Sequence, residues 1–340
     1  MKNTIVKFLT IAVTAILGSF QPVQAEPVRL VVTHLEPPLV PNSIMDLAVE
    51  LGYFKREGVE VELIRVQQTP LALAAILGGE GDMANVSVKA VLLLRTRGND
   101  TLKAVTSPNK SLPFLIAAKA AITNSADLTG HSFGVGRIGS LDYALSKRVL
   151  DSQGINLDDL DILTLGQPSV RAQALAAGQI DATTMSIGTW LSIPDKTGLS
   201  ILITPDSYYA AAPVVNKVNV VTEEFLKTRR ADAIAVVRAL TKISRDFAAN
   251  PSEWANAMAP HKPHMTQETL QTLAESFVGS WSVNGGIGRT ELQFTQDWVF
   301  QTDDFKDATS ISLDDWVDFT VADQVLREIG TLPDSDQPSR

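Results

Sequence analysis

The 340-residue chain contains no cysteine. Disulfides, thiol nucleophiles, Cys-ligated metals and a lipid-modified N-terminal cysteine are all excluded at once. Positive charge is also in deficit, with 29 Lys+Arg against 38 Asp+Glu. A nucleic-acid partner rewards stripes of Lys and Arg, so none is expected. A small anionic ligand stays possible, because a local pocket can oppose the global sign. Long apolar runs are missing too. No H-E-x-x-H helix is present, so no zinc-protease site is marked. No cofactor motif is expected to be used, and no metal site. The one tempting pair, His261 and His264 in HKPH, lies between prolines that break any helix able to align it.

What is present begins with MKNTIVKFLTIAVTAILGSFQPVQA, in which Lys2 and Lys7 are the only charges. A basic start, an apolar stretch over residues 8–17 and small residues up to Ala25 predict a cleaved export signal over residues 1–25. That stretch is too short to anchor, since a spanning helix needs ~20 apolar residues. The mature chain, residues 26–340, would be soluble in the periplasm and monomeric. Its length exceeds one comfortable core and predicts two lobes.

The chain then repeats itself. The apolar run 28–32 leads through the Pro-rich loop LEPPLVPNS into a helix with Ile44, Leu47, Ala48 and Leu51 on one face. A strand at 59–64, a helix at 71–77 and the junction Gly79-Glu80-Gly81-Asp82 follow. The second pass has a strand at 131–135, a helix at 141–150, a strand at 161–165, a helix at 170–177 and the junction Gly178-Gln179-Ile180-Asp181. The two aspartates are 99 residues apart and are expected to fix their turns. The pattern predicts an α/β fold of two lobes, each a mostly parallel sheet flanked by helices. Two crossover segments, near 111–119 and 208–217, would join lobe 1 (26–115 plus 214–340) to lobe 2 (116–213). The tail predicts a long helix over 222–249 and helical stretches near 266–278 and 312–329.

Four ordered stretches carry a family resemblance: LAVELGYFKREGVEVELI (47–64), ADLTGHSFGVGRIGSLDYAL (126–145), ALAAGQIDATTMS (174–186) and VVTEEFLKTRRADAIAVVRAL (220–240). Together they resemble the periplasmic nitrate/sulfonate/taurine-type solute-binding proteins of ABC importers, a family that includes thiamine-precursor binders. The resemblance implies a two-lobed periplasmic-binding-protein fold of type II and hinge closure on a small solute. It also implies delivery to an inner-membrane permease with its ATPase. One branch of the family makes a thiamine pyrimidine precursor through a cysteine-rich motif, which a cysteine-free chain cannot supply.

Ligands of open α/β sheets bind where loops leave the carboxyl ends of strands. Residues 134–139 spell G-x-G-x-x-G, but Asp158 and Asp159 precede the next strand instead of ending it, against a dinucleotide reading. The glycines and the helix N-terminus after them instead suit an anion, with Gly139, Ser140 and Arg137 as its expected contacts. The equivalent helix start in lobe 1 offers Asn42 and Ser43, either as ligand contacts or as simple caps. His34, Asn85, Ser87, Ser186 and Tyr208 complete the expected lining, with Tyr208 equally suited to hinge packing. A small organic anion, alkanesulfonate or taurine-like or an aromatic sulfonate or carboxylate, is the expected solute. A thiamine-precursor pyrimidine, a periplasmic sensor role and a secreted hydrolase are the alternatives.

Overall fold

The computed structural model describes residues 26–40, 42–110, 114–212, 214–309, 311–333 and 336, and the expected export segment lies outside them. Ten strands follow in chain order: β1 (Val28–Val32), β2 (Val61–Arg65), β3 (Met83–Ser87), β4 (Leu102–Asn109), β5 (Phe114–Lys119), β6 (Ser132–Val135), β7 (Asp161–Thr164), β8 (Ala182–Ser186), β9 (Leu199–Ile203) and β10 (Lys217–Thr222). They form two sheets, ordered β2-β1-β3-β10-β4 and β7-β6-β8-β5-β9. The first three strands of each order pair in parallel. The fourth in each order runs antiparallel to both its neighbours. That odd strand is the one the chain makes on arriving from the other sheet. The chain leaves the first sheet after β4 to enter β5, and returns from the second sheet to enter β10.

The repeat seen in the sequence holds in three dimensions. Asp82 accepts the N–H of Arg29 at the start of β1, and Asp181 accepts the N–H of Ser132 at the start of β6, both at 2.9 Å. Gly79 and Gly178 adopt φ of 80° and 72°, a left-handed stop that glycine takes without strain. Ser87 and Ser186, also 99 residues apart, cap the helices that leave β3 and β8. In both sheets the order reverses beside the first parallel strand, which puts the switch points at the carboxyl ends of β1/β3 and β6/β8.

Packing follows the periodicity in most places. Ile44, Leu47 and Ala48 are buried, while Leu51 at the helix end is exposed. The helix expected over 222–249 is two helices, Glu223–Thr228 and Arg230–Ala249. Arg229 breaks it at φ −131°, and its guanidinium bonds the Glu26 carbonyl and Asp232. Ile234, Val237, Leu240 and Phe247 form the buried face of the longer piece, each contributing about 1.5–3 kcal/mol through burial. The 312–329 stretch is likewise split, into Leu313–Trp316 and Phe319–Ile329, where Val317 bridges to Ala104. One apolar cluster runs from the first sheet through Tyr208, Val214 and Val215 into the second. No helix among the described residues is long and apolar enough to cross a membrane.

Candidate functional site

The switch point of the first sheet is basic. Lys217 opens β10 directly after the second crossover and sits opposite Ser87, the last residue of β3. Its ammonium donates to Thr33 Oγ1 at 2.6 Å, one residue past the end of β1. No carboxylate lies within ion-pair distance of it among the described residues. The side chain keeps some accessible surface, yet protein encloses it so fully that burial pushes its pKa down to about 8. Beside it, His34 Nε2 meets Asp46 Oδ2 at 2.9 Å, and Arg65, the last residue of β2, donates to the other Asp46 oxygen. Burial pushes the Asp46 carboxyl up, but the bonds from His34 and Arg65 outweigh it and hold the group low. Burial lowers His34, with Lys217 and Arg65 adding to the effect against the Asp46 bond. The His34 Nδ1 and one Arg65 guanidinium nitrogen are buried without a partner.

The switch point of the second sheet is neutralised from within. The Gly136 N–H, in the G-x-G-x-x-G turn, donates to Asp142 Oδ2 at 2.7 Å. A Cβ at Gly136 would stand 2.9 Å from the same carboxylate, so glycine lets the chain close on its own acid. Asp142 Oδ2 is also 3.5 Å from Arg171. That guanidinium is buried, further bonded to Gly166 O, Thr183 Oγ1 and Thr184 O. Burial lowers its pKa and Asp142 opposes the shift. The negative charge expected from a ligand at this helix start is supplied by the protein itself.

Three contacts tie the two sheets' loops together across the intervening cleft. Lys89, buried on the Val88–Thr96 helix, donates to the Gly139 carbonyl at 3.1 Å and pairs with Asp304 at 2.6 Å. Gln167 Nε2 donates to the Gln67 carbonyl at 2.9 Å. At Gly188, on the helix after β8, a Cβ would stand 2.9 Å from Leu39 Cβ in the Pro-rich loop.

These facts redistribute the expected site. His34, Ser87 and Ser186 stand at the carboxyl ends of the strands as anticipated, with both serines engaged as caps. Ser140 caps its helix and bonds Asp142 and the Arg137 carbonyl. Gly139 adopts φ 76°. Arg137 is exposed, and its guanidinium makes no hydrogen bond or ion pair among the described residues. Asn85 is buried, and its amide donates to its register partner Asn219 at 2.8 Å. Ser43 is fully buried and accepts the Trp254 indole N–H at 2.9 Å. Asn42 takes the N-cap position without a side-chain cap bond. Tyr208 is buried and packs against Phe114, with ring centroids 5.7 Å apart and planes tilted by 48°. Lys217, Arg65 and Asp142 are the residues that sequence reasoning missed. Asp142 carried a legible signal, as an acid two residues after a serine N-cap and therefore pointed at the loop.

The family described as NMT1/THI5 like matches residues 43–254. A comparison with curated protein sequences finds no match. Among solved structures, a Bordetella bronchiseptica RB50 protein superposes with a TM-score of 0.74 at 17% identity, covering 90% of this chain and 98% of its own. The periplasmic aliphatic sulphonate binding protein SsuA from Escherichia coli gives 0.65 at 14% identity, covering 86% and 92%. The desulfurization enzyme DSZB gives 0.58 at 14% identity, covering 89% and 99%. At these identities the likeness shows the fold.

Proposed function

The chain belongs to the NMT1/THI5-like family, and from that premise we propose that it is the solute-binding component of an ABC importer. It would work in the periplasm after removal of residues 1–25, capturing a small organic anion between lobes 26–115 plus 214–340 and 116–213. The observation that carries this reading is the double crossover of the chain between two sheets of matched strand order. Side-chain and loop contacts on either side (Lys89 to Gly139, Gln167 to Gln67, Leu39 against Gly188) are of the kind that form when two lobes close on a ligand. A ligand touching both lobes stabilises the closed arrangement by its differential affinity, and an importer can read that arrangement. The sulphonate-binding relative supports sulfonates as the first ligand class, with carboxylates next.

A thermal-shift panel of alkanesulfonates, taurine, aromatic carboxylates, inorganic anions and pyrimidines tests the reading. A true ligand at 100 times its Kd adds about 2.7 kcal/mol of stability. Shifts by uncharged pyrimidines alone would remove the anion. Because a desulfurization enzyme shares the fold, the same compounds are followed for turnover, and product formation at enzymatic rates would replace the binding protein with an enzyme.

A further inference from the structure

Among the described residues, no carboxylate lies within ion-pair distance of the Lys217 ammonium at the carboxyl ends of β1 and β3. We propose that the Lys217 ammonium, held by Thr33 at the switch point of the first sheet, anchors the anionic oxygens of the captured solute, a sulfonate or carboxylate headgroup. This deepens the binding-protein reading and rests on it.

Four observations converge on Lys217. Its place is the crevice end of β1 and β3, where the sheet order reverses. Its charge has no carboxylate partner within ion-pair distance among the described residues, whereas Lys89 has Asp304, Arg171 has Asp142 and Arg65 has Asp46. Asp46, the buried acid of this corner, already serves both Arg65 and His34. The competing anion position, the Gly136 turn in the second lobe, is filled by Asp142. The chemistry is ion pairing with charge-assisted hydrogen bonds, stronger in an enclosed site than in water. Titratable groups around the lysine are His34, Asp46 and Arg65, with Lys262 and Glu36 beyond Asp46.

The test watches the lysine directly. In protein labelled with carbon-13 lysine, the Cε–Hε resonance of Lys217 is identified by its loss in Lys217→Met and followed through pH, with methanesulfonate, acetate or sodium chloride at equal ionic strength. The expected result is a titration midpoint that rises by about one pH unit or more with methanesulfonate or acetate and stays put with chloride. A resonance that neither anion moves beyond the chloride control overturns the anchor. Lys217→Arg, which keeps the charge, serves where Lys217→Met fails to fold: its Nε–Hε resonance should respond to the two anions, and silence there counts equally against the proposal. The capture reading fails separately, since it predicts lobe closure by small-angle scattering for whichever panel compound binds. Closure by a ligand that leaves Lys217 unmoved removes the anchor and keeps the binding protein.

Discussion

The Asp142 carboxylate accepts the Gly136 N–H at 2.7 Å, so the glycine-rich turn that most resembles an anion cradle already holds an anion from its own chain. Asp142→Ala removes the counter-charge of the buried Arg171. Chemical denaturation should show a loss of about 3 kcal/mol, the cost of stripping one partner from a buried pair. Asp142→Asn keeps the shape and should lose less. If Asp142→Ala is instead neutral, Arg171 is satisfied by Gly166, Thr183 and Thr184 alone.

Lys217 carries a pH signature with a definite sign. Its folded-state pKa of about 8 lies below the usual lysine value of 10.5. The unfolded chain therefore holds the extra proton between those limits, and wild-type stability rises with pH across them. A shift of that size corresponds to about 3 kcal/mol of destabilisation at pH 7. Lys217→Met should thus melt higher than wild type at pH 7, lack the rise above pH 8, and bind sulfonates more than tenfold more weakly. Equal melting curves for the two proteins from pH 7 to 10 would contradict the burial of this charge.

Asp181 accepts bonds from Lys119 and from both the backbone and side chain of Ser132. Burial opposes ionisation, but those bonds outweigh it and hold the carboxyl far below the usual range. Its stabilisation is complete above the unfolded pKa near 4 and fades as pH falls through the folded value. Asp181→Asn should cost about 2 kcal/mol at pH 7 and progressively less in strong acid. A constant difference across that range would assign the effect to packing.

Gly188 tests closure. The Cβ in Gly188→Val would press on Leu39, at 2.9 Å for the first atom alone. The variant should keep its melting temperature, show a larger radius of gyration with ligand than wild type, and lose about tenfold or more in affinity. Unchanged affinity would mean that Leu39 swings aside.

Ser43→Ala strands the buried Trp254 indole N–H. The expected loss is about 1–3 kcal/mol of stability with no change in anion affinity, whereas a selective loss of binding would return Ser43 to the ligand.

The parts legible in the sequence are those whose causes are local. The Asp82 and Asp181 junctions, the apolar face of Ile44, Leu47 and Ala48, and the Ser140 cap each depend on residues within a turn or on an adjacent strand. Asn85 reads in the sequence as a rim residue because it is polar and near a strand end, while its amide finds Asn219, 134 residues away. Lys217 was silent for the same reason. Nothing in AAAPVVNK marks the lysine until Thr33, 184 residues earlier in the chain, is placed beside it. Charge left unmatched is a property of the folded neighbourhood, and composition cannot show it.

The odd strand of each sheet also sets an order of assembly. The second sheet is built from one continuous stretch, β5 to β9, and needs nothing from elsewhere to complete its hydrogen bonding. The first sheet has β3 and β4 made early, with β10 inserted between them only after the whole second sheet has been passed. Until Lys217–Thr222 arrives, β3 and β4 present open edges with no partner between them. Closing that gap is a long-range contact, slow by chain entropy. A nascent chain released before it would hold a finished second lobe and an unfinished first, with the Lys217 corner still open.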